Sequence, residues 1–131
     1  MRLERDNYCF ACGKDNPRGL KLNIEVDRDG ARFSCHIQKE LQGWPDITHG
    51  GIVSTMLDEV MVWAAAGREV HTVTAEITVR FKNPLPTDRE IRVEGKVIEQ
   101  RKRIVFTEAR AFDDEMIYAE ASGKLMIITP P

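Results

Sequence analysis

Between Ile52 and Ala66 the chain places Ile52, Val53, Met56, Leu57, Val60, Met61, Val62, Trp63 and three alanines. At helical spacing these cover most of the circumference instead of one stripe, the pattern of a helix buried on nearly all sides. The polar exceptions Ser54, Thr55, Asp58 and Glu59 fall at i, i+1, i+4 and i+5 and form one narrow seam. His49-Gly50-Gly51 precedes the helix as a turn, and Gly67 offers a stop. Elsewhere the period is two. Residues 20–26 alternate Leu20, Leu22, Ile24 and Val26 with Lys21, Asn23 and Glu25; Asp27-Arg28-Asp29-Gly30 supplies a turn, and 31–37 returns.

After the helix, Val73, Ala75, Ile77, Val79 and Phe81 point one way, and Thr72, Thr74, Glu76, Thr78, Arg80 and Lys82 the other. Asn83-Pro84-Leu85-Pro86 ends that strand, because proline cannot donate to a ladder. Strand-like runs follow at about 90–99, 103–112 and 116–128, with Asp113-Asp114-Glu115 as a polar turn between the last two. The expected order is two strands, one long helix, then four strands in meander. One helix beside so much antiparallel sheet hides its surface only if the sheet curls around it. The expectation is an α+β wrap of about six strands, a single domain over residues 1–131.

The remaining totals mostly exclude. A net charge of -2 with 31% charged residues gives no whole-chain argument for nucleic acid or an anionic membrane. No apolar run is long enough to span a bilayer, and the opening residues lack the apolar middle of a signal peptide. Three cysteines in such a chain point to reduced thiols and a cytoplasmic setting.

A carboxylate on an otherwise apolar helix is costly unless something uses or pairs it, which singles out Asp58. Glycines at a helix start leave backbone N–H groups unobstructed at the positive end of the helix dipole, where they can polarise a carbonyl and hold an oxyanion. Gly50 and Asp58 are eight residues apart on one helix, about 12 Å at 1.5 Å per residue. They cannot serve one carbonyl within a chain. Two helices antiparallel across a two-fold axis could pair the Gly50 of one with the Asp58 of the other, so a shared catalytic role requires a dimer.

Glu59 is the competing acid, with a rim position in solvent the cheaper reading. His49 is expected to orient the turn through a backbone hydrogen bond, with a direct chemical role as the alternative. Ser54 does not fit the G-x-S-x-G elbow. Cys9-Phe10-Ala11-Cys12 supplies two of the four ligands of a structural zinc site, and neighbours Cys35 and His36 would point to opposite faces of a strand. The expectation there is two small buried thiols packing a turn, with no metal and no cofactor. Arg101-Lys102-Arg103, and Arg80 with Lys82, are candidate landing places for phosphates.

Gly43-Trp44-Pro45-Asp46-Ile47-Thr48-His49-Gly50-Gly51, the helix step to Asp58, and the strand end Phe81-Lys82-Asn83-Pro84-Leu85-Pro86 resemble the hotdog-fold acyl-CoA thioesterases. The nearest likeness is to the phenylacetic-acid-pathway branch, and Cys9 to Leu20 is similar to a leader of that branch. The resemblance implies a dimer or dimer of dimers (a homotetramer), with acyl-CoA at the subunit interface. It implies Gly50 as oxyanion donor, Asp58 as base or nucleophile, and Thr74 positioning the attacking water. Gly51, Trp44 and the basic residues would contact substrate. The chain departs from the pattern at Gly43, where some members carry a water-orienting Asn. Thr74 also falls on the face opposite Val73 and Phe81, so its approach to Asp58 requires an interface or a bulge. A non-catalytic acyl-CoA binding protein is the alternative.

Overall fold

A computed structural model of the chain describes residues 5–128; residues 1–4, part of the opening stretch read for an export signal, and 129–131 lie outside the described residues. Six strands form one antiparallel sheet in the order β1-β2-β4-β5-β6-β3: β1 (Glu25–Asp27), β2 (Gly30–His36), β3 (Thr72–Phe81), β4 (Glu90–Arg101), β5 (Ile104–Phe112) and β6 (Ile117–Ile127). The single α-helix, α1 (Gly50–Ala66), packs on one face of this sheet. The wrap is as expected from the pattern.

Two expectations are corrected. Only β4, β5 and β6 form a meander; β3 lies on the far side of β6, so the segment after it crosses to the other part of the sheet. The Pro84-Pro86 break makes that possible, since it replaces a tight hairpin with an irregular connection over residues 82–89, between Phe81 and Glu90. The first strand is also shorter than its alternation suggested. Leu22 is buried and its neighbours Lys21 and Asn23 are exposed, so the two-residue period is real. Its backbone partners, however, are in the N-terminal turn: Leu20 and Leu22 N–H donate to the Phe10 and Ala11 carbonyls. Only Glu25–Asp27 pairs with β2.

The core lies between α1 and the sheet. Met56, Leu57, Val60 and Met61 of the helix pack with Phe33, Ile37, Ile91, Val93, Ala111, Tyr118 and Ala119. Several strand positions under the helix are small, which lets the backbones approach. At Gly95 a Cβ would sit 2.9 Å from the Val60 backbone carbonyl. One side of the helix is not covered to the same degree. Ile52, Ser54, Thr55, Asp58, Glu59 and Val62 are only half-buried, so the single chain leaves a lateral face of α1 partly open.

The outer face of the sheet carries a row of directly opposed residues of alternating sign, Arg32, Glu94, Arg110, Glu120 and Arg80, running from β2 to β3. Opposite charges facing across strands stabilise a solvated face modestly. At the β5–β6 turn, the Asp113 carboxylate accepts from Glu115 N, Met116 N and the Tyr118 hydroxyl, and from Arg89 at 3.1 Å. The Tyr118 hydroxyl, first among these partners, brings its pKa down to about 2.

Gly95→Ala should lower folding stability by about 1–3 kcal/mol, the usual cost of overpacking a tight site. Chemical denaturation checks it: an unchanged midpoint would mean that α1 can lift from the sheet at little cost.

Candidate active site

The first turn of α1 is organised by His49. Its Nδ1 accepts the Gly51 N–H at 2.8 Å, which caps the helix from a residue with extended backbone. This is the orienting role expected of the imidazole. The Ile52 and Val53 N–H groups go to the His49 carbonyl. Among the described residues no acceptor takes the Gly50 N–H, which stands at the positive end of the helix dipole on an exposed residue. The rings of His49 and Phe81 flank the two glycines: a Cβ on Gly51 would meet His49 Nδ1 at 3.1 Å, and one on Gly50 would meet Phe81 Cζ at 3.5 Å.

Asp58 sits two turns further along α1, half-buried, and accepts a hydrogen bond from Thr74 Oγ1 at 2.7 Å. Strict alternation would have turned Thr74 away from the helix. The β3–β6 register shifts between Thr74 and Glu76, leaving Ala75 as the extra residue of a bulge. Beyond the bulge Ile77 and Val79 pack on the core, and before it Thr74 reaches the same side. A bulge therefore supplies the contact within one chain. Ser54 and Thr55, the helix hydroxyls nearest in sequence, instead donate to the Gly50 and Gly51 carbonyls at 3.0 and 2.8 Å.

Glu59 is not a free rim carboxylate. Its Oε1 accepts from Trp63 Nε1 at 2.9 Å and lies 3.8 Å from Cys9 Sγ. Nor are the two N-terminal thiols both buried: Cys9 is exposed and Cys12 half-buried. Burial, then the Glu59 carboxylate, push the Cys12 thiol up to about 12. The sequence offered no signal for Glu59 beside these cysteines, because nothing local in residues 9–12 specifies which helix face they meet.

Gly43, where the family resemblance leads one to expect a water-orienting Asn, lies against His49. A Cβ there would be 3.3 Å from His49 Cα and 3.4 Å from Cδ2. The imidazole occupies the space next to that position. Trp44 is 82% exposed and Phe81 58% exposed, so in the single chain neither lines an enclosed tunnel.

The basic candidates fall at opposite ends of the sheet. Arg80 and Lys82 flank Phe81 at the Gly50 end; Lys82 pairs with Glu120 at 3.3 Å, and Arg80 closes the outer charge row. Arg101, Lys102 and Arg103 form the β4–β5 hairpin, in line through Ile104 and Met126 with Val73, next to Thr74. Arg101 pairs with Glu99 at 3.2 Å and stacks on Phe106, and Arg103 donates to the Ile127 carbonyl. A concavity of about 700 Å³ lies elsewhere, on the outer face among Arg32, Arg80, Glu94, Lys96, Glu108 and Arg110. Neither Gly50, Asp58 nor Thr74 lines it.

An N–H with no acceptor among the described residues can polarise a carbonyl, and an oriented carboxylate on the same helix can take up a proton. The thioesterase superfamily family model matches residues 46–119, just over half the chain and the segment holding both groups, and the chain belongs to that superfamily. It is similar to the acyl-coenzyme A thioesterase THEM4 of Xenopus laevis, 35% identical over 116 residues that cover 86% of this chain and 52% of that protein. The chain spans about half the length of the curated relatives it matches. Among solved structures, a hypothetical thioesterase from Streptococcus pneumoniae TIGR4 with coenzyme A has a TM-score of 0.77 at 15% identity, over 82% of this chain and 89% of that one. The E. coli PaaI protein of the phenylacetic acid degradation operon has a TM-score of 0.76 at 17% identity, over 82% and 83%. These last two likenesses are of fold, the hotdog fold. No helix among the described residues is long and apolar enough to cross a membrane.

The Thr74–Asp58 bond can be measured by a double-mutant cycle of Thr74→Val and Asp58→Asn, with an expected coupling of about 0.5–3 kcal/mol in unfolding free energy. Additivity of the Thr74 pair would remove the contact from the site.

Proposed function

We propose that this chain hydrolyses acyl-CoA thioesters to a free acid and coenzyme A, in a homodimer whose two sites each combine Gly50 of one protomer with Asp58 of the other. The observation that carries this reading is the pair of groups on α1: an N–H at Gly50 without an acceptor among the described residues and, about 12 Å along the same helix, a carboxylate held by Thr74. One thioester carbonyl cannot lie beside both. Antiparallel helices across a two-fold axis remove the conflict. Two further features support the pairing. β3 is a ten-residue edge strand bonded only to β6, an open template for a second copy. The half-buried seam of α1 lies on the same side, since Thr74 of β3 bonds to it.

In this mechanism the Gly50 N–H polarises the thioester carbonyl. Asp58 across the interface removes a proton from a water, which attacks the carbonyl carbon; negative charge moves to the carbonyl oxygen and rests against Gly50. Collapse breaks the C–S bond, and the thiolate of coenzyme A takes the proton from Asp58. Thr74 fixes the rotamer of the carboxylate. His49, by taking up the Gly51 N–H, fixes the glycine turn. The phosphates of coenzyme A would lie near Arg101 and Arg103, at the sheet end that carries Thr74. Three strand spacings separate β4 from β3, about 14 Å, within reach of a long nucleotide thioester. A dimer of dimers, and a single domain over the whole chain, complete the reading. An acyl-CoA binding protein without turnover is the second reading, favoured by the lack of an Asn at position 43.

Asp58→Asn should fold and lose hydrolysis by at least about 10², the scale of a positioned acid–base group. Gly50 is the first helical residue and follows a residue with extended backbone, so proline fits there while removing the N–H. Gly50→Pro should cost about 10²–10³ in kcat with the fold retained. Exchanging subunits between these two variants rebuilds one intact site per heterodimer if the site is shared. No regained activity after demonstrated exchange would refute the shared site, and binding of acyl-CoA by the parent without turnover would favour the second reading.

Neutralising Arg101 and Arg103 together should raise KM for acyl-CoA at nearly constant kcat, the signature of lost uniform binding. The penalty should shrink with added salt, because exposed charges are screened over about 10 Å at 0.1 M. Unchanged KM at low salt would place the phosphates elsewhere.

A further inference from the structure

The N-terminal turn and α1 bring together three soft or acidic ligands that the proposed hydrolysis does not use. Cys9 Sγ, Cys12 Sγ and a Glu59 carboxylate oxygen all lie within 4.8 Å of one another, with Cys9 Sγ 3.8 Å from Glu59 Oε1. We propose that Cys9, Cys12 and Glu59 bind one zinc ion, leaving a fourth position open to solvent on the exposed Cys9 side.

Three independent features shape the site. The first is the turn. Gly13 N–H donates to the Cys9 carbonyl at 2.8 Å, folding Cys9-Phe10-Ala11-Cys12 so that both thiols share a side. The closure is tight enough that a Cβ at Gly13 would lie 2.3 Å from Cys9 N, so only glycine fits there. The second is anchorage. Ala11 is buried in the core, and the Phe10 and Ala11 carbonyls accept from Leu20 and Leu22, so the turn is held against the body of the protein. The third is the orientation of Glu59. Trp63 Nε1, one helical turn on, donates to Glu59 Oε1, and the Arg5 guanidinium covers the Trp63 ring at 3.8 Å. A carboxylate steered by an outer hydrogen bond is the usual support of a metal ligand.

The donor set selects the metal. Two thiolates and one carboxylate suit zinc, and neither magnesium nor calcium takes sulfur ligands. Zn–S bonds near 2.3 Å and Zn–O bonds near 2.0–2.2 Å put tetrahedral ligand atoms roughly 3.5–3.8 Å apart. Ligand atoms within 4.8 Å of one another need to close by no more than about 1.3 Å to reach these distances. Binding displaces the two thiol protons to solvent, one from each cysteine, so uptake consumes hydroxide. The ion would fasten the N-terminal turn to α1 at the residue after Asp58. Cys35 and His36 take no part: Cys35 Sγ lies against Met56 Sδ, and His36 Nε2 pairs with Asp88.

The test uses the whole chain, reduced and stripped with a chelator, then titrated with zinc against a chromophoric competitor. One equivalent per chain should bind, with about two protons released at neutral pH. Cobalt(II) as a spectroscopic substitute should give thiolate charge-transfer absorption and the intense visible bands of a tetrahedral ion. In a Trp44→Phe background, zinc should alter the emission of Trp63. Cys9→Ser and Cys12→Ser should each weaken binding by at least about 10², and Glu59→Gln by about tenfold. Folded, reduced parent protein that takes up no zinc at micromolar concentration would overturn the site even if a variant fails to fold. So would uptake undiminished in both cysteine variants, or an octahedral cobalt spectrum without sulfur absorption.

Discussion

The close contact between α1 and the sheet is the constraint on which the other features rest. A helix with apolar residues on most of its circumference has to be covered, and a flat sheet covers only one side. The sheet therefore curls, and it can approach because the residues under the helix are small, as where Gly95 meets the Val60 carbonyl. That contact fixes the height of α1 above every strand. It follows that the register of β3 decides what the helix's polar seam can touch. With a regular β3 the Thr74 hydroxyl would face outward; the one-residue bulge at Ala75 turns it to Asp58.

The seam finds its hydrogen-bond partners within the chain and yet stays only half-buried. Ser54 and Thr55 are settled by the carbonyls one turn back, Asp58 by a strand and Glu59 by Trp63. Adjacent carboxylates on one helix thus face different surroundings: Asp58 is directed to the β3 side, Glu59 to the N-terminal turn. A separation of about 100° per residue around the helix axis is enough to send them to different neighbours. One arrangement serves the proposed hydrolysis, and the other gathers two thiols. Both leave part of α1 half-buried in the single chain.

The basic residues show how local sequence can mislead. Arg80 and Lys82 read as a free cationic face, yet Glu120 lies across from Arg80 and pairs with Lys82. Arg110, Glu94 and Arg32, from three further strands, complete the row in alternating sign. Such charges are partly committed to holding a solvated sheet face, where each pair is worth little but the row as a whole keeps the strands in register. The β4–β5 hairpin, at the other end of the sheet, is the group placed nearest Thr74 along the ladder.

What the sequence by itself determined was whatever depends on neighbours along the chain. The helix over 50–66, the strand pattern of β2 to β6, the cap formed by His49 and the isolation of Asp58 all follow from periods of 3.6 and 2 and from turn chemistry. The distance between Gly50 and Asp58 also follows, since a helix has a fixed rise. Only the tertiary structure decided the sheet order, because strand pairing joins residues far apart and alternation looks the same whichever strand lies alongside. Hence β3 sits beside β6, and Leu20 and Leu22 bond to the N-terminal turn despite a regular alternation. The Thr74 contact needed a bulge, which no periodic pattern announces. Glu59 beside Cys9 and Cys12 joins segments fifty residues apart, and only the docking of the turn on α1 makes them neighbours.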